Sequence, residues 1–104
     1  MSANIALQMK VEEVLHTVHD PEIPVNIYDL GLVYKVEASD NGHVLVIMTL
    51  TAPACPVAGA IIQEVTDKIS ALEGVTNADV RLTFDPPWTK DMMSEEAKLE
   101  LGFL

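Results

Sequence analysis

Residues 49–60, TLTAPACPVAGA, carry the chain's single cysteine, Cys55, between two prolines. A core thiol would be expected inside an apolar run, whereas this one sits in the break between two. As a thiolate it would be both a nucleophile and a soft metal ligand. Pro56 suits the first turn of a helix, where a missing N–H costs nothing. The positive end of that helix favours a thiolate, and the acidic background of the chain opposes it. The small residues Ala52, Ala54, Ala58 and Gly59 leave room around the sulfur. The plain structural alternative is a small apolar residue filling a turn, because free cysteines are often buried and inert. A second set of groups lies in DPEIPVNIYD, residues 20–29. Asp20, Glu22 and Asp29 are hard oxygen ligands suited to iron or calcium in company with others; taken singly they read as a turn cap, a solvated acid and a partner for nearby backbone. Thr49 and Thr51 either hydrogen-bond the cysteine loop or occur because strands favour threonine. His16 and His19, three apart and so on one helix face, read as metal ligands or, more simply, as solvated groups at a favourable helix end. A thiol enzyme would also need a base near Cys55, and no histidine falls in any of these loops.

Three helices and three strands are expected to position these groups. In IALQMKVEEVLHTVHD, Val11, Val14, Leu15 and Val18 recur at helical spacing with Leu7 one turn earlier, and the helix is expected to run to Asp20, before Pro21. A strand follows from about Leu30, with Leu32, Tyr34 and Val36 on one face and Val33 and Lys35 on the other. Asn41-Gly42 then marks a hairpin turn. The partner strand, HVLVIMTLT, is apolar on both faces and is expected to be central. Residues 57–74 form a second amphipathic helix, with Ala58, Ile61, Ile62, Val65, Ile69 and Leu72 in its stripe and Gly74 as its stop. Ala78, Val80, Leu82 and Phe84 alternate as a half-buried strand that ends at Pro86-Pro87. Trp88 reads as a lid on the core edge and Met92-Met93 as adaptable packing, and Ser94 caps a short last helix with acids in its first turn.

The resulting order, α-β-β-α-β-α, is an α+β fold: a two-layer α/β sandwich with a small mixed three-stranded sheet, one domain over residues 1–104. A hairpin makes the first two strands antiparallel, and a helical crossover makes the second and third parallel. The loops DPEIPVNIYD, TAPACP and FDPPW should therefore meet at the carboxyl end of the parallel pair, where α/β proteins commonly place their sites.

Sixteen acids against six bases give a net charge of −10. Phosphate backbones and anionic membrane surfaces would be repelled, so neither nucleic acid nor membrane is expected as a partner, whereas metal cations or a basic patch on another protein are favoured. One cysteine forms no internal disulfide, no run approaches the length of a membrane helix, and residues 1–20 lack a basic stretch followed by an apolar one. A cytoplasmic location is the expectation.

Three segments, DPEIPVNIYDLGLVY, TLTAPACPVAG and DPPWTKDMMSEEAKLELGF, resemble the SufT-like family of iron–sulfur cluster maturation proteins in this order, from about Val11 to Phe103. That family also contains PaaD and a eukaryotic cytosolic cluster-targeting factor. The resemblance implies an α/β domain related to the C-terminal domain of NifU-type scaffolds. It further implies a non-enzymatic role as carrier, scaffold accessory or targeting adaptor in cluster assembly. The family's hallmark residues fall on Asp20, Pro21, Glu22, Asp29, Gly31, Thr49, Thr51, Cys55 and Pro56, with Cys55 as the implied ligand of a transient iron–sulfur cluster or iron. Implied partners are the assembly machinery, client apoproteins and, in a two-fold homodimer that would present two Cys55 thiolates, a second copy. The chain departs from NifU scaffolds in having one thiol rather than a Cys-x-x-Cys pair, and from PaaD in lacking further cysteines near its end. The long N-terminal extensions of the eukaryotic relatives are likewise absent. The alternatives are a protein-interaction adaptor that binds no metal, with Cys55 structural, and an accessory component of an aromatic-degradation oxygenase.

Overall fold

Asn4 caps the first helix. Its Oδ1 accepts from the Leu7 amide at 3.0 Å, and its own amide donates to the Ala38 carbonyl at 2.9 Å, so the cap also ties the helix start to the end of a strand. A computed structural model describes residues 4–19, 25–50 and 58–102 of the chain. Within them run α1 (Ile5–Leu15), β1 (Val33–Ala38), β2 (His43–Met48), α2 (Ala58–Ser70), β3 (Asn77–Leu82), a 3₁₀ turn (Lys90–Met92) and α3 (Glu95–Glu100). This is the expected α+β order.

Among the described residues the strands make one sheet in the order β1-β2-β3, antiparallel between β1 and β2 and parallel between β2 and β3. β2 is central, as its two apolar faces require. Val44, Val46 and Met48 are fully buried on one face, in register with Ala78, Val80 and Leu82 of β3. They share a core with Leu7, Val11 and Leu15 of α1 and with Ile61, Val65 and Ile69 of α2, so both helices cover the same face. Each such aliphatic side chain contributes roughly 1.5–3 kcal/mol on burial. The opposite face holds the half-buried Leu45 and Ile47, flanked by the Lys35–Glu37 and Arg81–Asp79 ion pairs of the outer strands.

The Asn41-Gly42 hairpin forms as the dipeptide predicts. Gly42 has φ +86°, and a Cβ there would overlap the Gly74 carbonyl oxygen, so glycine is required twice over. The turn is fastened to the start of β3 by the Thr76 amide, which donates to the Gly42 carbonyl at 2.9 Å, and by the Thr76 hydroxyl, which donates to the Asn41 carbonyl at 2.8 Å. Ser94 caps α3 through its side-chain oxygen, which accepts from the Ala97 amide, with Glu95 and Glu96 in the first turn.

Three expectations are corrected. First, α1 ends at Leu15, not at Asp20. The Thr17 amide and hydroxyl both turn to the Val14 carbonyl, the Val18 amide reaches back to Leu15, and the Val18 carbonyl then accepts from the Ile27 amide at 2.8 Å. A local side-chain bond competes with the helix, and pairing with a distant segment completes its end. Val18 stays fully buried, but not as a helical residue. Second, the pairing of β1 slips by one residue between Val33 and Lys35, so Tyr34 is an extra residue and the alternation changes phase there. Val33, opposite Met48, therefore joins Val36 and Ala38 against the core, and Tyr34 does not. Third, Leu82 and Phe84 are 41% and 38% exposed. β3 is an edge strand, and Phe84 lies past its end, so neither side chain has a neighbouring strand on its outer side.

Candidate functional site

Val33, Met48 and Leu82 stand in register across the sheet, so the start of β1 and the carboxyl ends of β2 and β3 share one edge. The pairing runs one step past the strands there: the Thr49 amide donates to the Leu32 carbonyl at 2.7 Å and the Thr83 amide to the Met48 carbonyl at 2.9 Å. Side chains then tie the loops to one another. The Trp88 indole N–H donates to the Leu30 carbonyl at 2.6 Å, closing residues 83–88 over residues 25–32 as the expected lid. The Tyr34 hydroxyl, swung outward by the bulge, donates to the Pro86 carbonyl at 2.8 Å. The Ser94 amide donates to the Asp29 carbonyl at 2.8 Å, bringing the start of α3 to the same place. Gly31, at φ +79°, lets the Met92 backbone pass, since a Cβ would overlap the Met92 carbonyl oxygen.

Asp29 is positioned here by Asn26. The Asn26 Oδ1 accepts from the Asp29 amide at 2.8 Å, while its Nδ2 donates to Asp29 Oδ2 at 2.9 Å. This is a capping arrangement over the tight turn of residues 26–31, and the Asn-x-x-Asp spacing was a readable signal for it. Asp29 Oδ1 lies 3.9 Å from His16 Nε2. His16 stacks on Tyr28 with ring centroids 4.3 Å apart. Burial, with the Glu12 and Asp29 carboxylates adding to it, raises the Tyr28 phenol above the ordinary tyrosine value, so it remains a neutral hydroxyl at physiological pH. The two histidines do not share a helix face, because α1 has ended. His16 is its C-cap, and His19 bridges to Asn26 as an isolated antiparallel pair.

Thr49 is fully buried, and its Oγ1 has no hydrogen-bond partner among the described residues. Asp20, Glu22, Thr51, Cys55 and Pro56 lie outside the described residues. Their described neighbours are His19 and Val25 for the acidic segment, and Leu50 and Ala58 for the cysteine segment. Leu50 leaves β2 at this edge and is buried, and α2 begins the crossover to β3 from the same edge. Among the described residues no group of three or more His, Cys, Asp or Glu side chains is gathered where it could hold a metal ion. No helix among them is long and apolar enough to cross a membrane. The part played by Tyr28, Tyr34 and Asn26 in building the edge was not expected from the sequence. Of these only Asn26 left a local pattern, since Tyr28 and Tyr34 act on partners remote in the chain or off the regular alternation.

Residues 8–80 match the model of a family described as iron–sulfur cluster assembly protein. The chain is 57% identical over 94 residues to an Fe-S protein maturation auxiliary factor of Porphyromonas gingivalis, covering 90% of each chain. It is 45% identical over 83 residues to the Fe-S protein maturation auxiliary factor SufT of Staphylococcus aureus, covering 80% of this chain and 94% of that one. A crystal structure of a domain of unknown function, DUF59, from Bacillus anthracis superposes with a TM-score of 0.89 at 39% identity, covering 96% of this chain and 95% of that one. By this family match, these identities and this likeness of fold, the chain belongs to the iron–sulfur cluster assembly protein family, among its SufT-like members.

Proposed function

We propose that this chain is a non-enzymatic accessory factor in iron–sulfur protein maturation, which guides iron or a cluster to client apoproteins with Cys55 as a transient ligand. The cargo is a substrate in transit, not a resident group. One thiolate holds one corner of a cluster and leaves its other positions to the donor or the recipient. Release is then an exchange of thiolate ligands, which a fully caged cluster would resist. Asp20, Glu22 and Asp29 are the oxygen ligands or hydrogen-bond acceptors nearest in the sequence pattern, and Thr49 and Thr51 are the hydroxyls that would steady the cysteine loop. The partners of this reading are the cluster assembly machinery and client apoproteins, in the cytoplasm. Because hand-over needs one thiolate, it operates in a monomer as well as in a homodimer.

The observation that carries the reading is the meeting of strand ends at one edge. The described residues flanking the cysteine segment, Leu50 and Ala58, stand there with Asp29, the Trp88 lid and the start of α3. The names of the relatives point to the same role. The exposed Leu82 and Phe84 beside this edge support a second reading, an adaptor that docks a client and binds no metal, with Cys55 structural.

The test is Cys55→Ser, followed in two ways. Anaerobic reconstitution with iron and sulfide should give charge-transfer absorption that the variant lacks. Cells carrying the variant at normal abundance should show lowered activity of their iron–sulfur enzymes. Full activity with Cys55→Ser would give the adaptor reading the field.

A further inference from the structure

We propose a further site at the end of α1, sharing Asp29 with the oxygen ligands named above: a two-point seat for a divalent transition-metal cation between His16 Nε2 and Asp29 Oδ1. His16 Nδ1 lies 2.7 Å from the Glu12 carbonyl oxygen, an atom that only accepts, so in a neutral ring the proton sits on Nδ1. In that tautomer Nε2 is a lone pair, 3.9 Å from a second acceptor, Asp29 Oδ1. Two acceptors this close call for a cation or a proton between them. Two ligand atoms each about 2.1 Å from one ion stand roughly 3–4 Å apart, which this gap matches.

Among the described residues, both ligands are held by contacts to atoms other than the two that would ligate. The imidazole is fixed by the Glu12 carbonyl and by its stack on Tyr28. The carboxylate is fixed through its other oxygen by Asn26 Nδ2, and its backbone by Asn26 Oδ1. Metal-binding histidines and carboxylates are oriented in this way, by partners of the atoms that do not ligate. The His16 and Asp29 side chains are 43% and 24% exposed, so water completes the coordination. An imidazole and a carboxylate together suit manganese, iron or zinc ions rather than soft ones, and the net charge of −10 draws cations to the surface. The seat uses no thiol, so it stands or falls separately from the role given to Cys55.

The experiment is a titration of the full chain with Mn(II) at neutral pH, read from paramagnetic broadening in amide and imidazole NMR spectra. Resonances of His16, Tyr28 and Asp29 should broaden first and together. His16→Phe keeps a ring against Tyr28 but has no ring nitrogen, and Asp29→Asn keeps the size of the side chain. Each should weaken apparent affinity by about tenfold or more, while Cys55→Ser should leave it unchanged. Equal broadening of surface acids in the wild type and in both variants would overturn the site. So would imidazole nitrogen shifts that show a proton on Nε2 toward Asp29 and stay unmoved at millimolar Mn(II). Either result, with Cys55→Ser still defective in maturation, removes the seat and leaves the maturation role standing.

Discussion

Where the hairpin turns, main-chain bonds and short polar side chains close the sheet together; at the opposite edge, where β2 and β3 end, main-chain bonds are joined by aromatic side chains that reach distant segments. At the hairpin the Ser39 amide donates to the His43 carbonyl, the Gly42 amide to the Ser39 carbonyl and the Thr76 amide to the Gly42 carbonyl. At the carboxyl edge, the indole of Trp88, the phenol of Tyr34 and the amide of Asn26 do the fastening. Here also lie a buried hydroxyl with no partner among the described residues and two exposed apolar side chains, Leu82 and Phe84. Each edge contains a left-handed glycine pressed against a carbonyl, Gly42 on Gly74 and Gly31 on Met92. The difference teaches a division of labour: one edge is closed by main chain and short polar side chains, and the other adds two aromatic side chains that reach more than fifty residues along the chain. Such an edge is free to specialise.

The two glycines give the strongest test of that division. Gly31→Ala and Gly42→Ala should each cost about 1–3 kcal/mol in urea unfolding, because each forces a side chain into left-handed backbone against a carbonyl. Gly31→Ala should also lower client maturation by more than its stability loss explains, since it displaces Met92 from the edge. Equal harm from Gly42→Ala at matched stability would erase the distinction. Next in size is Thr49→Val, which removes a buried hydroxyl with no partner among the described residues while keeping its shape. A stability loss of about 1 kcal/mol is expected in the same assay if the hydroxyl steadies the cysteine segment as proposed, and a gain would remove it from that role. The smallest effects come from one clip at each edge. Trp88→Phe should cost about 1 kcal/mol through loss of the partly buried bond to Leu30, against about 0.5 kcal/mol for the exposed bond removed in Thr76→Val.

The helices, the hairpin and the crossover were legible because periodicity records burial. Val44, Val46 and Met48 are spaced for a strand, and Ile61, Val65 and Ile69 for a helix, and each set is buried as its spacing requires. The end of α1 was not legible, because the bond from Ile27 to Val18 depends on a segment that folds back later. The exposure of Leu82 and Phe84 goes with the edge position of β3 among the described residues, which no local pattern records. The meeting of residues 25–32 and 83–88 at the carboxyl edge followed from strand direction alone, while the cysteine segment lies outside the described residues. The grouping of His16 with Tyr28 and Asp29 did not, since it joins the close of a helix to a turn well downstream.

Tyr34 is surplus to the ladder. Excising it would leave Val33 opposite Met48 and Lys35 opposite Ile47 in unbroken alternation, so the sheet has no need of this residue. What would vanish is the phenol's reach to Pro86. A shortened chain should therefore keep its sheet and core yet slacken at the edge proposed for cargo hand-over, uncoupling the integrity of the scaffold from the competence of that end.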